Sequence, residues 1–263
     1  MHDKVELAVH IHPQQAEYAD IRDAVVRAEE LGFDIAYNWD HFFPLYADPD
    51  GKHFECWTML GAWAEQTSRI KIGVLVACNS YRNPELLADM ARTVDHISGG
   101  RLIFGIGSGW FERDYDEYGY EFGTAAGRLR ALDAALPRIK ARWAKLNPPP
   151  SDMPILIGGG GERVTLRIVA EHAHVWHYFG DTESMKRKSD ILDDWCTKVG
   201  RDPKEIRRSV GFQPGEEAEM LKMADTYYDL GYREFTFGIG GPDYTMDGAA
   251  EWLAWRDDKN AGK

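Results

Sequence analysis

Three short stretches hold residues whose types and spacing suit chemistry. The first is YNWDHFFP, residues 37–44. Asp40 and His41 end an apolar run there and are crowded by Trp39, Phe42 and Phe43. A strand that merely ended in solvent would favour Gly, Asn or Ser. A charged pair among aromatics suits a flat, polar ligand. Histidine titrates near neutrality, so His41 suits a general acid or base; the plainer alternative is a loop histidine hydrogen-bonded to Asp40. The second stretch is the run of four glycines at 158–161, followed by Glu162 and a helical pattern. Backbone N–H groups there can converge on a phosphate, and a helix N-terminus adds its positive end. A flexible turn is the alternative, although four glycines cost more backbone entropy than a turn needs. The third stretch is His10-Ile-His12. Histidines at i and i+2 point the same way on a strand, as a metal-binding pair would.

These residues need elements to position them, and the chain supplies a regular alternation. Short β-branched runs at 5–11, 33–39, 70–77, 101–107, 154–158, 174–180, 205–212 and 233–239 are each followed by a longer amphipathic segment. Those segments cover 18–32, 55–67, 84–100, one long helical stretch after 107 through about Lys145, 162–173, 182–200, 216–231 and 246–258. Gly32, Gly100, Gly200 and Gly231 stand where helices stop, and Pro84 where one starts. Strands alternating with helices predict a parallel sheet, and eight such units predict closure into a (β/α)8 TIM barrel. An open doubly wound sheet is the alternative. The chain has 263 residues, and such a barrel typically needs about 250. One domain over 1–263 is therefore expected, with NPPPSDMP (147–154) as a surface loop.

Chemistry in a TIM barrel lies at the C-terminal ends of the strands. Read there, strand one ends in His10, His12 and Pro13, and strand two in Asp40 and His41. Strand three leads to Cys78, Tyr81 and Arg82, and strand four to Ser108, Gly109 and Trp110. Strand five ends in the glycines, strand six in His177 and Tyr178, and strand seven in Gln213. Arg82 could pair a phosphate or cap the rim. Trp57 and Trp110 could stack on a ring, while Trp57, inside a helix, also suits the core. GIGSG (105–109) has the wrong spacing for a dinucleotide fingerprint; close backbone approach to a ligand explains it equally well. A metal hydrolase built on His10 and His12 would need further ligands. Strand four offers no Lys, Asp or Glu, strand five offers glycines, and Asp243 follows strand eight too late. No metal is expected.

Composition narrows the partners. The net charge of −12 disfavours nucleic acid and anionic membranes, which call for a basic footprint. Three scattered cysteines without a CxxC indicate neither a zinc ribbon nor a disulfide framework. No run approaches the roughly 18 apolar residues of a membrane span. A small-molecule ligand and a reducing, cytoplasmic setting are expected.

Five separated motifs then occur in a familiar order: GFDIAYNWDHF, SRIKIGVLVACNSYRNPELLA, DHISGGRLIFGIGSGW, PILIGGGGER and AEHAHVW. Over roughly residues 5–213 the chain resembles the luciferase-like monooxygenase superfamily, and within it the F420-dependent oxidoreductases. The resemblance implies a TIM barrel, and the chain departs from many relatives in a shortened insertion before strand five, where only ARWAKLNPPPSDMP lies. It implies a deazaflavin lying across the barrel mouth against a bulge with a non-proline cis peptide near Leu75-Val76. Asp40 matches a cofactor-binding residue, and His41 a catalytic histidine beside the reactive C5 of F420. Ser108 and Gly109 match cofactor contacts, and Gly159, Gly160 and Gly161 the phosphate loop. His10, Trp110 and His177 are candidates for the substrate pocket. The implied activity is hydride transfer between C5 and a small organic substrate. FMN with oxygen chemistry, or a deazaflavin-binding protein without catalysis, are the alternatives. The sugar-phosphate dehydrogenases of this group carry a tryptophan and a glutamate where this chain has Leu45 and Trp110, which disfavours sugar phosphates. A homodimer is also implied.

Overall fold

The computed structural model of the chain describes residues 4–262. The eight expected units are present. They run β1 (Glu6–Ile11), α1 (Tyr18–Leu31), β2 (Ile35–Asn38), α2 (Cys56–Gln66), β3 (Lys71–Val74), β4 (Ala77–Cys78), α3 (Pro84–Ile97) and β5 (Leu102–Gly107). They continue through α4 (Glu112–Tyr118), α5 (Ala125–Trp143), β6 (Ile155–Gly158), α6 (Thr165–His172), β7 (Val175–Tyr178) and α7 (Thr182–Val199). The last are β8 (Arg207–Phe212), α8 (Glu217–Asp229), β9 (Tyr232–Ile239) and α9 (Ala249–Asn260). The strands pair in parallel in the order β3-β2-β1-β9-β8-β7-β6-β5-β4, and β3 also pairs with β5 through Ile72 and Leu102. That contact closes the barrel. β3 and β4 are two halves of one barrel strand, interrupted at Leu75 and Val76, so the nine segments make an eight-stranded TIM barrel. No helix among the described residues is long and apolar enough to cross a membrane.

Two expectations need correction. The single long helix after strand four is two helices. Gly119, in the left-handed region at φ 69°, closes α4, and the Thr124 side chain accepts the Gly127 N–H to start α5. The third strand is not continuous over 70–77, because the peptide between Leu75 and Val76 is cis. The other helix signals act as expected. Gly32 ends α1 at φ 105°, and Asn83 caps α3 ahead of Pro84. Residues 144–154 form a mostly exposed connection between α5 and β6.

Strand periodicity divides the core in two. Leu7, Val9 and Ile11 of β1 pack outward against the helices, in the main apolar cluster. Ala8 points inward with Ile35, Tyr37, Ile103, Leu156 and Val175, and Leu75 and Val76 pack against this inner cluster. The interior is not wholly aliphatic. Glu6 pairs with Lys71 (2.6 Å) and Arg207 towards its lower end. Above them Glu234 accepts hydrogen bonds from Tyr37 (3.1 Å) and Ser209 (2.9 Å).

One helix position offers a clean stability test. Gly61 lies inside α2, and a Cβ built on it meets nothing within 4 Å. Gly61→Ala is expected to stabilise the protein by about 0.5–1 kcal/mol, since alanine loses less backbone freedom on folding. Chemical denaturation reads this directly, and a destabilised variant contradicts it.

Candidate active site

The strand ends enclose a cavity of about 640 Å³ at the C-terminal mouth of the barrel. Its shelf is the Leu75–Val76 bulge. The glycines of β5 and β6 make room for that bulge. A Cβ on Gly105 would lie 1.9 Å from the Val74 carbonyl oxygen. One on Gly107 would lie 2.7 Å, and one on Gly158 3.1 Å, from the Val76 methyls. The GIG sequence therefore serves the fit between strands, in addition to lining the cavity. Gly109 is constrained differently. It has φ 80°, and a Cβ there would strike the Tyr115 hydroxyl and the Cys78 sulfur.

His41 lines this cavity, and its Nδ1 lies 2.7 Å from Asp114 Oδ2. Asp114 is fully buried on α4 and also accepts the Tyr81 hydroxyl (2.8 Å) and the Phe42 N–H (3.0 Å). A carboxylate surrounded by these donors requires the His41 proton on Nδ1. That leaves Nε2 as the nitrogen for a ligand. The expected alternative partner, Asp40, is engaged elsewhere. Asp40 takes both guanidinium nitrogens of Arg82 (2.7 and 3.0 Å) and the Cys78 N–H (3.0 Å). Arg82 also reaches Glu55 (2.7 Å), which caps α2 through the N–H groups of Trp57 and Thr58. Arg82 is thus neither a phosphate clamp nor an exposed rim residue. It fixes the carboxylate beside the shelf.

The other expected residues divide between two places. Asp40, Leu75, Val76, Ser108, Gly109 and Gly159 line the main cavity, with His10, Trp110 and His177. Gly160 and Gly161 instead line an adjoining open groove of about 460 Å³, with Arg163, Thr165 and Lys188. Lys188 is buried and donates to the Gly160 carbonyl (2.6 Å). A Cβ on Gly160 would strike the Tyr178 ring at 2.6 Å, and Tyr178 lines the main cavity. Trp110 is 63 % exposed and meets His41 edge-on, with ring centroids 5.7 Å apart. Trp57 is buried in the core between helices and barrel, away from the site.

Asp114 escaped the sequence reading. Glu55 and Glu112 are the nearer acidic candidates by position, but Glu112 is exposed and Glu55 holds Arg82. Ser209 and Glu234 were also missed. A serine and a glutamate within predicted strands were the available signal.

Burial keeps several imidazoles neutral. It lowers His12, His53 and His177 to about 4, and also lowers His10, helped by His12 and His177. His12 stacks on Trp39, with centroids 4.4 Å apart and planes at 27°. Among the described residues, the one cluster of three metal-type side chains is Asp133, Glu171 and His172. It lies on α5 and α6, and Arg167 pairs with both of its carboxylates.

The neutral histidines give a pH prediction. In the unfolded chain each gains a proton near pH 6.5, while the folded form resists until about 4. Below 6.5 the unfolded state binds more protons, so stability falls as pH falls towards 4. Between pH 7 and 5 each such histidine is expected to remove about 1–2 kcal/mol. Denaturant titrations at the two pH values measure this; equal stability at both contradicts it.

The model of the family described as luciferase-like monooxygenase matches residues 3–228. An uncharacterized Mycobacterium tuberculosis protein is 26 % identical over 225 residues, covering 78 % of this chain and 77 % of that protein. An F420-dependent glucose-6-phosphate dehydrogenase of Amycolatopsis mediterranei is 33 % identical over 131 residues, covering 49 % of this chain and 38 % of the dehydrogenase. An F420-dependent secondary alcohol dehydrogenase, solved in complex with an F420–acetone adduct, has the same fold. It superposes with a TM-score of 0.82 at 16 % identity, over 92 % of this chain and 95 % of that one.

Proposed function

The chain belongs to the luciferase-like monooxygenase family, and from that premise we propose that it is an F420-dependent oxidoreductase acting on a small organic substrate. The observation that carries this reading is His41, tied through Nδ1 to buried Asp114, at the edge of a cavity shelved by the Leu75–Val76 bulge. The names of relatives support the cofactor: one is an F420-dependent dehydrogenase, and a structural neighbour binds an F420 adduct.

The residues fit a deazaflavin. Gly107 and Gly158 let the bulge settle into the barrel wall, so the cavity keeps its volume above it. Gly159, at φ 127°, turns the chain from β6 towards the groove. That groove brings the N-terminus of α6 and the glycine loop together with exposed Arg163, which suits the cofactor's anionic tail. When bound, F420 supplies a flat ring whose C5 exchanges a hydride with the substrate. Asp40, held by Arg82, offers a fixed carboxylate to a polar ring edge. His41 presents Nε2 to the reacting groups and handles a proton, while Asp114 holds its tautomer and orientation. Trp110, edge-on to His41, stands at the mouth of the cavity. The proposed assembly is a homodimer.

Fluorescence titration of the purified protein with F420 and, in parallel, with FMN tests the reading. Tighter binding of F420 is expected. A preference for FMN would move the protein to the oxygen-using members of the family. Binding of neither would remove the proposal.

A further inference from the structure

Two glycines that line the cavity stand where a side chain would cover an imidazole nitrogen. A Cβ on Gly211 of β8 would lie 2.9 Å from His177 Nε2. One on Gly238 of β9 would meet Pro214 Cδ at 3.0 Å, and both His12 Nε2 and the Phe212 carbonyl oxygen at 3.2 Å. Neither glycine has a positive φ, so backbone conformation does not require them. At Gly211 the nearest atoms are those of the imidazole itself, so the glycine keeps free the space beside His177 Nε2 that a side chain would take. Next to them, His10 has a buried Nε2 with no hydrogen-bond partner.

The group behind His177 determines what that open nitrogen can do. His177 Nδ1 lies 2.8 Å from Ser209 Oγ. The Ser209 hydroxyl donates to Glu234 Oε1 (2.9 Å), which also accepts the Tyr37 hydroxyl (3.1 Å). Serine has one hydrogen, and it is spent on Glu234. Ser209 must therefore accept from His177, which places the imidazole proton on Nδ1. His177 Nε2 is left as a bare lone pair facing the cavity.

We propose that His177 Nε2 is a substrate subsite that accepts a hydrogen bond from an uncharged hydroxyl group, with Ser209 and Glu234 as its positioning residues. This deepens the reading of the cavity as an F420-dependent active site and rests on it for the reaction concerned. Charge supports the choice of ligand. Among the described residues that line the cavity, none is lysine or arginine, and Asp40, the one acidic group, is paired with Arg82. A phosphate or carboxylate on the substrate would find no cation there. A hydroxyl finds an acceptor already oriented. Burial keeps His177 and His12 uncharged at neutral pH, so their lone pairs stay available.

The test is NMR of the full chain labelled with 15N-histidine at pH 7, with the His177 signals assigned by comparison with His177→Gln. The expected spectrum has the proton on Nδ1 and a bare Nε2. Propan-2-ol and cyclohexanol should move the Nε2 resonance upfield, and cyclohexyl phosphate should not. Gly211→Ala should abolish the response to alcohols. Ser209→Ala should give a mixed tautomer and a weaker response, a change that loss of packing alone would not produce. A proton on Nε2, an equal response to the phosphate ester, or no response to either alcohol overturns the subsite. F420 titration of the same samples separates the two readings. Lost F420 binding with an intact alcohol response removes the cofactor assignment alone, and the reverse result removes the subsite alone.

Discussion

Replacing His41 with alanine is expected to lower turnover with F420 by about 10²–10⁴-fold, the usual contribution of a positioned acid or base. F420 affinity should change little. His41 uses Nδ1 for Asp114 and keeps Nε2 for the reacting groups, so truncation removes proton handling but leaves the shelf and the glycine loop intact. Asp114→Asn refines the result. Asn has one acceptor oxygen where Asp114 serves His41, Tyr81 and the Phe42 N–H. Turnover should fall less than in His41→Ala, because the imidazole stays in place while its tautomer and orientation are no longer fixed. Rapid-mixing measurements of F420 reduction or oxidation read both variants. Unchanged turnover in His41→Ala would show that the proton is handled elsewhere.

The second large effect is structural. Gly105→Ala places a Cβ 1.9 Å from the Val74 carbonyl oxygen. The obstructing atom is backbone, in the strand half that leads into the bulge, and cannot rotate away. Overpacking of this kind is expected to cost about 3 kcal/mol. For a chain of this size that lowers Tm by roughly 6–12 °C. The F420 site should weaken in parallel, since relief of the clash displaces the shelf. Gly61→Ala is the matched control, the same added methyl in open space. Equal melting temperatures for the two variants would contradict the packing described for β3 and β5.

Much of the fold was legible in the chain because its signals are local. Most strands are short apolar runs, and every helix but α6 has a capping residue or a stop glycine within a few positions of an end. Counting units then leads to the closed barrel. The resemblance to the luciferase-like family implied the bulge at Leu75-Val76, and the cis peptide lies there. What stayed hidden depends on contacts between elements. Asp114 sits two residues beyond Glu112, and only the turn of α4 points it at His41. Arg82 gave no sign of being buried, because its partners, Asp40 and Glu55, come from the preceding unit, one from the end of its strand and one from the start of its helix. The purpose of Gly105 and Gly107 was invisible for the same reason. A glycine that accommodates a neighbouring strand looks, in one dimension, like a glycine that accommodates a ligand. The long helix after strand four was misread because its periodic pattern resumes after Gly119 and Gly123, on a new axis.

Val76, Gly107 and Gly158 lie on three different stretches of chain yet share one small volume. That sharing gives change at this shelf a required order. An alanine at position 107 arriving first would meet a Val76 methyl at 2.7 Å. A smaller residue at position 76 arriving first would leave a gap, for which the usual cost is about 0.5–1.5 kcal/mol per lost methyl group. The larger residue at 107 could then follow and fill it. Divergence among descendants of this sequence should therefore pass through a loosened shelf and not a crowded one. Pairs of substitutions here would show strong sign epistasis, with the history of one strand written into what the next can accept.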